Sequence, residues 1–128
     1  MRLLLDTHTL IWYYQTDPKL SALVRTLLED PWNDVLVSPA SYWEVAIKIS
    51  TQKPVLQVPF DVFIREAIFD NNFKILPIEP KHTVIVATLP FHHKDPFDRL
   101  LIAQALAEGI PLISTDSAID AYGVQRLW

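Results

Sequence analysis

The stretch Arg2-Leu3-Leu4-Leu5-Asp6, near the start of the chain, decides the fold. Successive residues of a strand point to opposite faces of a sheet, so three consecutive leucines place apolar side chains on both faces. Strands of this kind are typical of a parallel sheet that helices cover on both sides. Asp6 ends the apolar run, and we expect it to lie at the carboxyl end of this first strand.

The rest of the chain alternates between short apolar runs and segments with helical spacing. Further strands are predicted at residues 35–37, 73–76, 111–113 and 124–127. Helices or helical turns are predicted at residues 9–14, 18–29, 39–50, 60–69, 80–89, 96–108 and 116–122. Ser38 and Asp95 each precede a proline and are predicted N-caps, and Gly109 is a predicted C-terminal cap. The pattern predicts an α/β fold, a short parallel sheet flanked by helices on both faces.

The composition excludes several classes of protein. The chain has 128 residues, which fits one domain over residues 1–128. Because it has no cysteine, it has no disulfide, cysteine zinc site, iron–sulfur cluster or thiol nucleophile. Its two glycines cannot form a P-loop or a dinucleotide-binding fingerprint. No apolar run reaches the roughly 18 residues of a membrane helix, so we expect a cytoplasmic protein with no membrane partner.

Two aspartates follow predicted strands directly. Asp6 follows the first strand, and Asp116 follows the strand that ends at Ile113. The carboxyl ends of parallel strands carry the functional sites of open α/β sheets, which makes both residues candidates for chemistry. The alternative is that each aspartate only caps a helix.

Glu44 lies in a helix that is almost entirely apolar. By helical spacing it shares a face with Ala40, Trp43 and Ile47, so it is predicted to lie inside an apolar stripe. Buried glutamates are rare unless they are paired or bind a ligand. The alternative is an ordinary ion pair with Lys48, one helical turn away.

Asp98 presents the same problem in another helix. It falls on an apolar stripe with Leu101, Ile102, Ala105 and Leu106. Asp95 already serves as the N-cap, so Asp98 is not needed there, although it could interact with the helix dipole.

Together these four carboxylates predict a metal centre. Packed without a cation they would repel one another and raise each other's pKa. All-oxygen ligand sets suit Mg²⁺ or Mn²⁺, and such a site can hydrolyse phosphodiester bonds. The residues leave open whether one or two ions act. The net charge of −4 argues against a protein that coats nucleic acid generally.

At this point the sequence resembles the PIN-domain ribonucleases, and among them the VapC-type toxins of toxin–antitoxin modules. The matching segments, in order, are Leu3-Leu4-Leu5-Asp6-Thr7-His8, residues 38–48 (SPASYWEVAIK), residues 93–105 (HKDPFDRLLIAQA) and residues 112–116 (LISTD). Ser114 stands where the family usually has threonine.

The resemblance implies a Rossmann-like PIN domain with a catalytic metal site for Mg²⁺ or Mn²⁺. Its metal-binding and catalytic acids would be Asp6, Glu44, Asp98 and Asp116, with Asp6 and Asp98 as direct ligands. The implied substrate is RNA, often tRNA or rRNA. The implied partners are a cognate antitoxin, which covers the site, and a second copy of the chain in a homodimer.

Three further residues are candidate supports for this site. Thr7 could assist Asp6 or a metal-bound water, or only cap a turn, and the Ser114 hydroxyl could orient a carboxylate or water. Arg99 could hold a phosphate or an antitoxin carboxylate, or pair with Asp95 or Asp98. The loop histidines His8, His92 and His93 are interpreted as solvent-facing or locally hydrogen-bonded rather than catalytic.

Three other functions compete with this interpretation. A haloacid dehalogenase-like phosphatase would need a second aspartate where His8 stands. A receiver-like signalling domain would need an acidic pair after the first strand and a lysine after a late strand, which the chain lacks. A non-catalytic interaction module leaves Glu44 and Asp98 on apolar stripes unexplained.

Overall fold

The computed structural model describes all 128 residues, Met1–Trp128. The strands are β1 (Arg2–Leu5), β2 (Asp34–Val37), β3 (Lys74–Ile75), β4 (Leu112–Ile113) and β5 (Arg126–Leu127). The helices are α1 (Thr7–Gln15), α2 (Ala22–Glu29), α3 (Pro39–Ser50), α4 (Phe60–Phe63), α5 (Pro80–Thr88) and α6 (Pro96–Glu108). A π-helical segment (Ile64–Phe69) continues α4, and a 3₁₀ helix (Ser117–Tyr122) precedes β5. None of the helices is both long and apolar enough to span a bilayer.

The helix ends follow the capping residues. Ser38 and Asp95 cap α3 and α6 through their side chains, and Gly109 ends α6 at a φ of 64°, which confirms all three predictions. α2 begins at Ala22 rather than at residue 18, because the Ser21 hydroxyl accepts the N–H of Val24. α1 begins earlier than predicted, because Asp6 caps it.

The predicted helix over residues 60–69 changes its hydrogen-bond pattern halfway. The wider turn of the π-helical segment places Ala67 and Ile68 on the same buried face as Phe63. An ordinary α-helix would turn one of these side chains away from the core.

The sheet has the order β3-β2-β1-β4-β5, and all four pairings are parallel, as predicted. The chain runs outward from β1 through β2 to β3 and then returns to the other side of β1. The topological switch point therefore lies between β1 and β4, where Leu5 is in register with Ile113. Ligands bind at the carboxyl ends of strands at such switch points.

Each face of the sheet carries its own apolar cluster. Leu3 and Leu5 belong to a cluster of 15 buried residues, and Leu4 belongs to one of 12 residues on the other face. The prediction that helices cover both faces of the sheet is confirmed. α3 spans the two clusters, since Ala40 packs in one and Val45 in the other.

The end of the sheet opposite the switch point is held by Glu108. Its carboxylate lies 3.2 Å from Nε2 of the fully buried His82 and 2.9 Å from the Lys81 ammonium. Arg2 approaches the other oxygen at 3.6 Å. Hydrogen bonds from Lys81 and His82 lower the pKa of Glu108 to about 2. This carboxylate joins the start of α5 to the end of α6.

Glu108→Gln tests that contact through pH. The depressed pKa of Glu108 contributes stability above its ordinary value of 4.5, and this stability is lost as pH falls towards about 2. The difference in free energy of unfolding between wild type and Glu108→Gln should be largest near neutral pH and shrink as the pH falls. Urea unfolding at several pH values measures it, with the exposed Glu29→Gln as control. A pH-independent difference would contradict the prediction.

Candidate functional site

Asp6 is fixed at the end of β1 by hydrogen bonds to the neighbouring strand β4 and to α1. Its backbone N–H donates to the Ile113 carbonyl at 3.1 Å. Its Oδ1 accepts from the Thr9 N–H at 2.8 Å and lies 2.6 Å from the Thr9 hydroxyl. The side chain therefore does cap α1. Burial raises the pKa of Asp6, while hydrogen bonds from Ser114 and Thr9 oppose the rise.

Glu44 lies on a buried face of α3, with 8% of its surface exposed. The Thr7 hydroxyl donates to its Oε1 at 2.6 Å, and the Lys48 ammonium lies 3.1 Å from its Oε2. The ion pair with Lys48 is thus present. The contact with Thr7 links the glutamate to the start of α1, just after β1.

The apolar stripe predicted around Glu44 is wrong in part. Ala40 and Glu44 are buried, but Trp43 is 60% exposed and Ile47 is 37% exposed. The buried face turns towards the sheet and α1, whereas Trp43 reaches α6 and meets Phe97 edge-on, at 5.4 Å between ring centroids. Trp43 is thus exposed next to Glu44, while Phe97 is partly buried against the core.

The Ser41 hydroxyl is buried on α3, three positions before Glu44 on the same side of the helix. It has no hydrogen-bond partner in the protein. A buried hydroxyl without a partner costs about 1–3 kcal/mol, so water or another ligand is expected to satisfy it.

Asp98 occupies the first turn of α6 and keeps 28% of its side chain exposed. Its pKa is raised to about 7, first by burial and then by the charges of Asp95, Asp6 and Glu44. The predicted stripe below it is confirmed at Leu101, Ile102 and Ala105, but Leu106 is 38% exposed because it lies near the helix end. Three of the four predicted acids thus lie close enough to repel one another.

Asp116 joins this group through a histidine. Its Oδ1 accepts the N–H of Ala118 at 3.0 Å and caps the 3₁₀ helix. Its Oδ2 lies 2.7 Å from Nε2 of His93, and the same nitrogen lies 3.2 Å from Oδ2 of Asp98. The three side chains form a group whose ligand atoms lie within 4.8 Å of one another.

His93 is the residue whose place in this group sequence reasoning did not anticipate. From sequence, His93 is predicted to be a loop histidine that faces solvent or forms local hydrogen bonds. Its position two residues before the N-cap of α6 is the one available signal, because Nδ1 of His93 accepts the backbone N–H of Asp95 at 3.1 Å. That bond turns the ring back towards the first turn of α6.

Thr7 and Ser114 each bond to one of the acids. Thr7 supports Glu44 rather than Asp6. Ser114 is fully buried, accepts the backbone N–H of Asp116 at 3.0 Å, and contributes a hydrogen bond to Asp6. It links the two strand-end aspartates.

Arg99 faces away from the acids. Its guanidinium is buried and donates to the carbonyls of Val86, Leu89, Pro90 and His93, at 2.9–3.4 Å. It also lies 3.9 Å from the centre of the Phe91 ring. The guanidinium forms no ion pair with Asp95 or Asp98, and because Arg99 is buried it is not open to a phosphate. Arg99 holds the loop that precedes α6.

Comparison with known proteins assigns the chain to a family. The family model of the PIN domain matches residues 3–125. The chain belongs to the PIN domain family. Members of this family are typically nucleases. A comparison with curated protein sequences finds no significant match.

Solved structures share the fold of this PIN domain at low sequence identity. VapBC2 from Rickettsia felis, bound to a DNA fragment from their promoter, has a TM-score of 0.74 and 16% identity, over 99% of this chain and 98% of that one. VapBC-1 from nontypeable Haemophilus influenzae has a TM-score of 0.70 and 15% identity, over 99% and 97%. FitAcB from Neisseria gonorrhoeae has a TM-score of 0.65 and 18% identity, over 98% and 96%.

The acidic edge of this PIN domain opens to solvent at Asp98 and Asp116, whose side chains are 28% and 41% exposed, while Asp6 and Glu44 are buried. The larger concavities of the surface lie elsewhere, and none of the four acids lines them. An open edge suits a polymer better than a small molecule, which pockets usually enclose.

Asp98→Asn should stabilise the metal-free protein at neutral pH. The pKa of Asp98 is raised from 3.8 to about 7, so the folded state holds this proton more tightly than the unfolded chain. The free energy of unfolding therefore falls as pH rises through this range, and the asparagine removes that loss. We expect a gain of about 1 kcal/mol or more above about pH 7, and a smaller gain near about pH 4.

Urea unfolding in EDTA measures this gain, with the exposed Asp61→Asn as the matched control. A variant less stable than wild type above neutral pH would show that the Asp98 carboxylate mainly stabilises the start of α6.

Proposed function

We propose that this chain is an endoribonuclease that depends on Mg²⁺ or Mn²⁺ and acts as the toxin of a cytoplasmic toxin–antitoxin pair. The observation that carries the proposal is the convergence of acids from four elements on one open edge, at the switch point of a PIN domain. These acids are Asp6, Glu44, Asp98 and Asp116.

The donor set fits a hard divalent cation. It consists of carboxylate oxygens, with no cysteine in the chain. Burial raises the pKa of Asp98 most, and the charges of Asp95, Asp6 and Glu44 raise it further; a bound cation would offset these charges. Such sets, with room for water, suit Mg²⁺ or Mn²⁺. We propose Asp6 and Asp98 as direct ligands, with Glu44 and Asp116 completing the site.

The surrounding residues hold the acids in place. Thr9 and Ser114 fix Asp6, and Thr7 fixes Glu44. When bound, the cation would activate water and stabilise negative charge on the phosphate. Since hydroxyl and backbone groups restrain the carboxylates, little reorganisation would be needed on binding substrate.

The proposed substrate is RNA, with tRNA and rRNA as the first to test. The open edge gives access to a long chain. The family match and the order of the acidic motifs favour a nuclease over the phosphatase and the receiver domain considered from sequence. A bound cation also reduces the negative charge that would otherwise repel phosphate.

Cleavage assays test the activity. Wild type should cleave tRNA or rRNA with Mg²⁺ or Mn²⁺, and EDTA should stop it. Asp6→Asn and Asp98→Asn should each lose at least about 100-fold in rate, more than the loss of a group outside the ligand set usually causes. Sequencing of RNA ends locates the cuts.

Asp61→Asn provides the matched control, since it removes the same charge from an exposed position on α4. It should cleave at the wild-type rate. Full activity in EDTA, or in Asp98→Asn, would refute the metal mechanism. Cleavage of DNA but not RNA would contradict RNA as the substrate while leaving the nuclease activity in place.

The proposed partners are an antitoxin, encoded next to this chain, and a second copy of the chain. The solved structures of similar fold named VapBC and FitAcB support the search for such a partner, although at this identity they show the fold alone. The exposed Trp43 ring, backed by the partly buried Phe97, gives the acidic edge an aromatic border that a protein could contact.

Co-expression tests this assignment. The product of the adjacent gene should co-purify with the chain and suppress RNA cleavage, and light scattering should give a homodimer for the chain alone. Proteolysis of the partner should restore cleavage. A neighbouring product that neither binds nor inhibits would contradict the toxin assignment while leaving the nuclease intact.

A further inference from the structure

His93 lies between two carboxylates that come from different elements. Its Nε2 is 2.7 Å from Oδ2 of Asp116 and 3.2 Å from Oδ2 of Asp98. One N–H group can be shared between two acceptors in this way, with the shorter contact as the stronger bond. The imidazole therefore bridges the end of β4 to the first turn of α6.

The other ring nitrogen fixes the tautomer of this imidazole. Nδ1 accepts the backbone N–H of Asp95 at 3.1 Å, so its lone pair is already used. In a neutral imidazole one nitrogen is a donor and the other an acceptor, which puts the proton on Nε2. The nitrogen that faces the acids is thus a donor and has no lone pair for a metal.

The loop that carries His93 is held from both sides. The backbone N–H of His93 donates to the Tyr122 hydroxyl at 2.8 Å, and that hydroxyl donates to the Pro90 carbonyl at 2.6 Å. The buried guanidinium of Arg99 binds the carbonyls of Pro90 and His93. The position of the imidazole is therefore set by this hydrogen-bond network as well as by its contacts with the acids.

We propose that His93 is a positioning residue, which holds Asp98 and Asp116 together as hydrogen-bond acceptors and does not itself coordinate the cation. The inference rests on the proposed metal site. Without a cation, the shared N–H keeps the two carboxylates close despite their repulsion. With a cation, a donor behind the ligands restricts their orientation, and removing such a group typically weakens metal binding about 10- to 100-fold.

Two substitutions separate positioning from coordination. His93→Ala removes the donor and should weaken Mn²⁺ binding about 10- to 100-fold. His93→Gln places an amide N–H₂ near the position of Nε2, so it can donate to both acids, but its nitrogen cannot bind a metal. It should keep Mn²⁺ affinity within a few-fold of wild type.

Isothermal titration with MnCl₂, in the absence of RNA, measures these affinities. His92→Ala is the matched control, since the exposed His92 ring packs edge-on against Tyr122 and bonds to none of the acids. A cooperative urea unfolding transition of each metal-free variant shows that it is folded. If His93→Ala does not fold, His93→Leu, which keeps an apolar side chain in the loop, replaces it.

Pulsed electron paramagnetic resonance of the wild-type Mn²⁺ complex adds a direct readout. We expect no directly coordinated nitrogen. Equal affinities of His93→Ala and wild type would overturn the inference, as would equal losses in His93→Gln and His93→Ala or a coordinated nitrogen. Absence of Mn²⁺ binding by wild type would instead refute the proposed function on which the inference rests.

Discussion

The pairing of β1 with β4 is the constraint on which the rest of the structure depends. The Asp6 N–H donates to the Ile113 carbonyl, so the two strands end side by side. One aspartate then follows the end of β1, and Ser114 and Asp116 follow the end of β4. Because this pair is also the switch point of the sheet, the helices on its two sides diverge and leave the edge open. A shift of one residue would turn Leu5 and Ile113 away from the core cluster they share.

The fold opposes the natural tendency of the acids to separate. Carboxylates at close range repel, and partial burial strengthens the repulsion. Hydroxyl groups offset this repulsion at two of the acids. Thr7 forms a hydrogen bond with Glu44, and Thr9 and Ser114 form hydrogen bonds with Asp6. Asp98 has no such donor except His93, and its pKa is raised to about 7 by burial and by the charges of Asp95, Asp6 and Glu44. A partly buried carboxylate with three acidic neighbours is the physical basis for expecting a cation there.

Much of the fold was predictable from local signals. Leu3 to Leu5 fixed a doubly covered parallel sheet, and Ser38, Asp95 and Gly109 fixed helix ends, because capping depends on near neighbours. Glu44 and Asp98 are predictable from the mismatch between a charge and its apolar surroundings, and Asp6 and Asp116 from their places after strands. What spacing cannot show is the direction of a side chain that depends on distant elements. Helical spacing places Trp43 on the face of Glu44, yet Trp43 lies on the surface, because α3 packs against α1 and α6 with different faces.

Arg99 and His93 show the same limit at the site. Arg99 adjoins an acid in sequence, but its guanidinium donates to backbone carbonyls within residues 86–93. No sequence motif predicts these contacts. His93 resembled an ordinary loop histidine until the folded loop brought it to Asp116, more than twenty positions away.

Anomalous diffraction from crystals grown with Mn²⁺ tests the central claim most directly. The account predicts a manganese peak at the carboxyl edge of β1 and β4, in contact with Asp6 and Asp98 and without a nitrogen ligand. The group formed by Glu79, His82 and Glu108, at the opposite end of the sheet, serves as an internal control and should give no peak. Manganese found only at that group, or nowhere among the four acids, would contradict the account.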